Sequence, residues 1–263
     1  MILGVCQFDV SGNPDENMRC IENAIAEAKE KNVRILAFPE CALTGYPPHD
    51  MKSAGDADFA ECSLAFEKIG AAAVKDGMYI AVGSITERKG KLYNSAVVFS
   101  PDGGRYVYDK RALWGWDRDN FSAGREAGVF TVDGITVGLG ICYEIRFPEY
   151  FRELYRLKTD LNLILFYDVS DADDIERYEI IKSHIRTRAC ENTVYTLSVN
   201  TASLYQTAPT MLCDRSGCVL FECARHETGL YVYDLEFGEE SFSEKGRRCM
   251  SDGFVCGKDM RET

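Results

Sequence analysis

Three side chains capable of covalent and acid–base chemistry stand at abrupt ends of apolar runs. Cys142 follows Ile135–Ile141, a run broken only by small residues, and precedes Pro148, which opens a segment with helical spacing. A thiol at a strand-to-turn junction is held in one orientation beside free backbone N–H groups. It becomes a strong nucleophile only as the thiolate, so it needs a base or a positive field nearby. Glu40 ends the apolar stretch Val33–Phe38 and has the chemistry of a base. Lys110 follows the short alternating stretch Arg105–Tyr108 and carries the positive charge. Taken singly, each has an ordinary reading: a packed cysteine, a charged residue after a strand, a solvated lysine.

The segments that must position these residues alternate between strand and helix patterns. Ile2–Phe8 reads as a strand. Asn13-Pro14-Asp15-Glu16 starts a helix with a capping side chain, Pro in the first turn and acids at the positive end, and Met18, Ile21, Ile25 and Ala28 form its apolar stripe. Phe59–Val74 reads as a second helix, and Tyr79–Ile85 and Ser95–Phe99 as strands around a polar turn, Glu87–Lys91. Ala112–Gly128 is irregular and aromatic. Val129–Val132 and Ile135–Ile141 form a hairpin through Asp133-Gly134. The helix from Pro148 carries Phe151, Leu154, Tyr155 and Leu157. A strand at Leu161–Phe166, a long helix at Asp174–Glu191 and a strand at Val194–Val199 follow. Thr210–Leu212 and Cys218–Phe221 make a late hairpin, and Gly229–Leu235 a last strand. No linker or composition shift divides the chain. The pattern predicts one domain over 1–263, with mixed sheets and helices outside them. Its core spans about 1–235, and a polar arm or tail without periodicity runs from Glu236 to Thr263, placed to pack on a neighbour.

Glu, Lys and Cys at strand ends, in that order, resemble the nitrilase superfamily of carbon–nitrogen hydrolases. The resemblance rests on FPE-x-x-LTGY around Glu40, Y-x-K around Lys110 and G-x-C-Y-E-x-RFPE around Cys142. Arg188-Ala189-Cys190-Glu191-Asn192 is similar to that family's RAxEN element. The resemblance runs from about Ile2 to Leu235. It implies an α/β fold, a four-layer α-β-β-α sandwich with mixed central sheets, and pairing of subunits into a homodimer or higher homo-oligomer. It also implies a mechanism. Glu40 takes the thiol proton, and Cys142 attacks an amide carbon. Lys110 and the backbone N–H of Tyr143 stabilise the oxyanion, and a thioester remains on Cys142 after the amine leaves. That scheme uses no metal and no organic cofactor. The family's second acid, usually Glu, is matched by Asp117, which is one methylene shorter and so must sit closer or act through water.

The Cys142 motif is most similar to the ω-amidase and deaminated-glutathione amidase branch, whose substrates are small carboxylic acids with a terminal amide. Arg146 or Arg186 is then the receiver of a substrate carboxylate, and Tyr46 matches a pocket tyrosine. Arg146 has a structural alternative as an ion pair with Glu144 or Glu149. Leu165-Phe166-Tyr167-Asp168-Val169-Ser170 departs from the branch's usual pocket stretch and argues for a different pocket. N-carbamoyl or aliphatic amide hydrolysis keeps the same mechanism, and a scaffold without turnover is the alternative of another class.

Composition narrows the remaining classes. A net charge of −12 disfavours nucleic acid and anionic membranes as partners. No apolar run approaches the ~20 residues of a membrane span, and the N-terminus lacks a basic leader. Eleven cysteines without a secretion signal imply free thiols in a reducing cytoplasm. The three histidines are scattered and no C-x-x-C occurs, which disfavours zinc and a Cys–His pair. Cys213, Cys218 and Cys223 read as core residues.

Overall fold

The computed structural model describes residues 1–257. In chain order the elements are β1 (Ile2–Gln7), α1 (Pro14–Glu30), β2 (Ile35–Ala37), α2 (Phe59–Asp76), β3 (Tyr79–Arg88), β4 (Lys91–Phe99), β5 (Arg105–Asp109), α3 (Trp116–Asn120), β6 (Gly128–Val132) and β7 (Ile135–Ile141). They continue with α4 (Pro148–Arg156), β8 (Leu161–Leu165), α5 (Ile175–Asn192), β9 (Tyr195–Val199), β10 (Met211–Cys213), β11 (Val219–Glu222), β12 (Gly229–Asp234) and α6 (Phe242–Cys256). Two six-stranded sheets form, ordered β12-β1-β2-β3-β4-β5 and β11-β10-β9-β8-β7-β6. Each is parallel at its centre, through β1–β2–β3 and β7–β8–β9, and antiparallel toward its edges. Helices α1 and α2 cover the first sheet; α4 and α5 cover the second. The α-β-β-α layering expected from the sequence is therefore present.

Strand alternation explains the layers. In β1, Leu3 and Val5 belong to the core between the sheets, with Ile35, Ala37, Val137, Leu139 and Ile141, while Cys6 joins the layer under α1 with Ile21, Ile25 and Ile69. Asn13 caps α1 by accepting from the N–H groups of Asp15 and Glu16, and Gly77 ends α2 in the left-handed region.

Several elements depart from the sequence reading. Strands β3 and β4 run through the polar stretch to a two-residue turn at Lys89-Gly90, both at positive φ, because a hairpin end in solvent needs no apolar alternation. Leu157 follows α4 and is exposed, and Cys218 is exposed in the β10–β11 hairpin. The largest correction concerns the polar arm: Phe242–Cys256 is a helix, packed on α4 and α5 of its own chain. Its capping box, Ser241 with Glu244, was in the sequence. Its anchors are polar, with Arg248 Nη2 donating to Thr193 O at 2.9 Å and Tyr155 Oη to Asp252 Oδ1 at 2.7 Å, so no apolar stripe announced it. Residues 258–263 of the expected arm lie outside the described residues. No helix among those described is long and apolar enough to cross a membrane.

Candidate active site

The ends of β2, β5 and β7 meet where the two sheets face one another. After β2 the chain turns through Pro39 and Glu40 against Gly83 of β3. A Cβ on Gly83 would lie 2.2 Å from Pro39 O and 2.6 Å from Glu40 Cα, so only glycine permits this approach. The N–H of Glu40 then donates to Phe166 O of the second sheet at 3.2 Å. The carboxylate of Glu40 is fully enclosed. Its Oε1 accepts from Lys110 Nζ at 2.7 Å and Asn94 Nδ2 at 2.6 Å, and its Oε2 accepts from the Tyr167 N–H at 2.8 Å. Burial pushes the Glu40 carboxyl above the usual carboxylate range; Lys110 pulls it back and the charge of Asp117 adds to the rise.

Lys110 is pinned on both sides of its peptide, its N–H donating to Asn94 O and its carbonyl accepting from Gly124 N–H. Its ammonium lies 2.7 Å from Glu40 and 2.6 Å from Asp117 Oδ2, and all three side chains are buried. Burial alone would lower the Lys110 pKa; Glu40 and Asp117 outweigh it and hold the group charged. Asp117 thus resolves the question raised by its shorter side chain: the helical turn α3 brings it close enough for direct contact, with no water between. Tyr46 Oη donates to Asp117 Oδ1 at 2.6 Å, and its ring stacks on Tyr167 at 5.0 Å. The Tyr46 hydroxyl is therefore engaged with the acid.

Cys142 begins a 3-10 segment, Cys142–Arg146, directly after β7, and its φ of 45° is unusual for a residue with a side chain. Glu144 holds this conformation. Its buried carboxylate accepts from Ile141 N–H, Arg111 N–H and Tyr108 Oη, each at 2.7 Å, and so ties the end of β7 to the end of β5. Burial, then the Glu40 charge, pushes the Cys142 thiol well up, with Lys110 opposing; Asp168 and Asp117 push it further. This environment favours the thiol of Cys142 over the thiolate. The backbone N–H of Tyr143 lies in the first turn of the 3-10 segment, where N–H groups have no acceptor within the helix.

The structure separates the two arginines. Arg146 is in the same 3-10 segment, about 6.0 Å over the Tyr143 ring. Neither Glu144 nor Glu149 pairs with it, and none of the ion pairs among the described residues includes it. Arg186 is exposed on α5 and donates to Gly217 O in the β10–β11 turn at 2.9 Å, bound there and not to the Cys142 segment. The sequence reading missed Asn94 and the clasp made by Glu144, and saw Asp168 only as part of an unusual stretch. Asp168 lies with Oδ2 at 3.8 Å from Cys142 Sγ. Among the described residues no group of three or more His, Cys, Asp or Glu is arranged to hold a metal ion.

Comparison with known proteins identifies the family. Residues 2–240 match the family model described as carbon–nitrogen hydrolase. The chain is 31% identical to omega-amidase NIT2 of Xenopus tropicalis over 216 residues, covering 76% of this chain and 74% of that one. It is 31% identical to 2-oxoglutaramate amidase of Bacillus subtilis over 244 residues, covering 89% and 90%. Among solved structures it matches the amidase of Nesterenkonia sp. AN1, in a form with acrylamide added at the active-site cysteine, at TM-score 0.80 and 22% identity over 90% of this chain and 93% of that chain. The chain belongs to the carbon–nitrogen hydrolase family, as a hydrolase of carbon–nitrogen bonds.

Proposed function

We propose that the protein hydrolyses the amide of a small molecule through a thioester on Cys142. The observation that carries this reading is the buried Glu40–Lys110–Asp117 network beside a thiol at a strand end. Glu40 accepts the thiol proton as sulfur attacks the amide carbon. Lys110 Nζ and the Tyr143 N–H receive the charge that develops on oxygen. Glu40 returns the proton to the departing nitrogen, ammonia leaves, and the thioester remains. Glu40 then deprotonates the water that releases the acid and regenerates the thiol. A carboxyl raised by burial suits these alternating roles. Asp117, donated to by Tyr46, keeps Lys110 charged and aimed. No metal or organic cofactor enters the scheme.

The substrate reading follows the omega-amidase and 2-oxoglutaramate amidase relatives. A small carboxylic acid with a terminal amide places its carboxylate on Arg146, the arginine near Cys142 that lacks a carboxylate partner. Thiols outside any disulfide, Cys6, Cys41, Cys62 and Cys213 among them, support a cytoplasmic setting, and the family resemblance supports a homodimer or higher homo-oligomer, to be checked by light scattering. The central test is ammonia release from 2-oxoglutaramate, succinamate, butyramide, an N-carbamoyl amine and a nitrile. Cys142→Ala and Glu40→Gln are expected to abolish it, with succinamate and 2-oxoglutaramate preferred by the wild type. Undiminished release from either variant overturns the mechanism, and release from the carbamoyl compound or butyramide alone overturns the substrate.

A further inference from the structure

Asp168 is 6% exposed and its two oxygens have different surroundings. Oδ1 is saturated: Arg177 donates to it through Nε at 3.0 Å and Nη2 at 2.8 Å, and Thr207 Oγ1 donates as well. The backbone is fixed too, with Asp168 N–H donating to Asn200 Oδ1, and Asn200 Nδ2 and the Thr207 N–H donating to Asp168 O. A purely structural role is satisfied by these contacts. Oδ2 takes no part in them. It is aimed at the nucleophile, and its single partner among the described residues is the thiol of Cys142, a weak donor at 3.8 Å.

That partner disappears during the reaction. Once Glu40 takes the thiol proton, a buried carboxylate oxygen faces a sulfur that can no longer donate. The carbon under attack comes within about 3–3.5 Å of sulfur, so one of its substituents must replace the thiol beside Oδ2. The developing oxyanion cannot, because it needs the donors Lys110 and Tyr143 N–H and would be repelled by a carboxylate. The departing nitrogen must meet Glu40. The acyl group remains.

We propose that Asp168 is a specificity-determining residue, its Oδ2 accepting a hydrogen bond from an O–H or N–H that the substrate carries on the carbon next to the scissile carbonyl. Between amides otherwise alike, the one with a donor at the α position is then favoured. The contact strengthens as the thiol proton leaves, so it acts on the transition state and not only on binding. Arg177 neutralises Asp168 and fixes its orientation without touching the substrate. The proposal rests on the reading of Cys142 as the amide-cleaving nucleophile.

The test compares kcat/KM for 2-hydroxypropanamide and propanamide in the wild type and in Asp168→Asn. The ratio within each protein removes any general loss of activity, and the change in ratio between proteins removes the intrinsic reactivity of the two amides. Because Oδ1 meets only donors, asparagine keeps its carbonyl oxygen there and presents its NH2 toward sulfur, so a donor meets the substrate's donor. The preference for the hydroxyamide is expected to fall at least tenfold in the variant, as a hydrogen bond to a charged group implies on the order of that factor. If Asp168→Asn loses turnover, the protection of Cys142 from iodoacetamide by each amide supplies the binding part of that ratio, which is expected to fall in the same direction. An unchanged ratio overturns the proposal while leaving the hydrolase reading intact. Turnover of neither amide by the wild type overturns the proposal alone, and Cys142-independent turnover overturns the nucleophile reading and this proposal with it.

Discussion

Replacing Lys110 by Met tests whether one buried ammonium holds two carboxyl groups together. Glu40 and Asp117 lie 2.7 and 2.6 Å from Nζ, and water reaches none of the three side chains appreciably. Met fills similar space without charge, so the two acids are left buried with no cation between them. Removing one partner of a buried pair costs about 3–5 kcal/mol. The repulsion has a ceiling, because one acid can take up a proton. Holding a carboxyl neutral at pH 7, about 2.7 pH units above its ordinary pKa, costs about 3.7 kcal/mol, and at pH 5 only about 1 kcal/mol. Urea unfolding followed by circular dichroism is therefore expected to show Lys110→Met less stable than wild type by about 4 kcal/mol at pH 7 and by about 1 kcal/mol at pH 5. Adding Asp117→Asn, which removes one of the two charges, is expected to recover most of the loss at pH 7. A loss under about 1 kcal/mol at pH 7, or one that does not change with pH, refutes the picture of two acids sharing a lysine.

Other parts of the site give independent expectations. Arg146→Ala is expected to raise KM for succinamate while leaving butyramide hydrolysis near wild type, and equal effects on both amides would remove Arg146 from carboxylate binding. Tyr46→Phe deprives Asp117 Oδ1 of its 2.6 Å donor, with an expected stability loss of about 1.5–3 kcal/mol in urea unfolding; no loss would mean that Asp117 is otherwise satisfied. Burial raises the carboxyls of both Glu40 and Glu144, so the native protein keeps protons that the unfolded chain releases near pH 4.3. Their stabilising contribution is full below that pH and is lost as pH rises through their folded values, so wild-type stability is expected to fall over that window. Glu144→Gln is expected to flatten the slope, and an unchanged slope would exclude Glu144 as a source.

What the sequence revealed of this site, and what it hid, follows from the range of the interactions. Cys142, Glu40 and Lys110 stand at ends of apolar runs, and an apolar run has a local signature. Asp117 had one too, through its register after Lys110, but the direct contact with Nζ depends on the turn of α3 and on Tyr46, 71 residues earlier. Asn94, Glu144 and Asp168 act through partners 54, 36 and 26 residues away. Nothing in the immediate neighbourhood of Asn94 in β4 distinguishes it from any polar strand residue. The missed helix α6 makes the same point from the other side: its capping box was local and readable, whereas its polar anchors on Thr193 and Tyr155 exist only in the folded chain.

The position of the site at the seam of the sheets has an energetic logic. Glu40 and Lys110 belong to the first sheet and Cys142 and Asp168 to the second, so their relative placement depends on how the sheets pack. The same carboxylates fix that packing. Glu40 accepts from the Tyr167 N–H across the seam, and Glu144 accepts from Tyr108 and Arg111 on one side and Ile141 on the other. A buried carboxylate is tolerated only with such donors, and donors on two sheets make each acid a clasp. Glu144 has its oxygens turned to the backbone and Tyr108, which suits it to hold the strained Cys142 turn. Glu40 keeps one oxygen with a single N–H donor, and so has an acceptor site left for a proton. The division of labour between the two glutamates thus follows from how many donors each one meets.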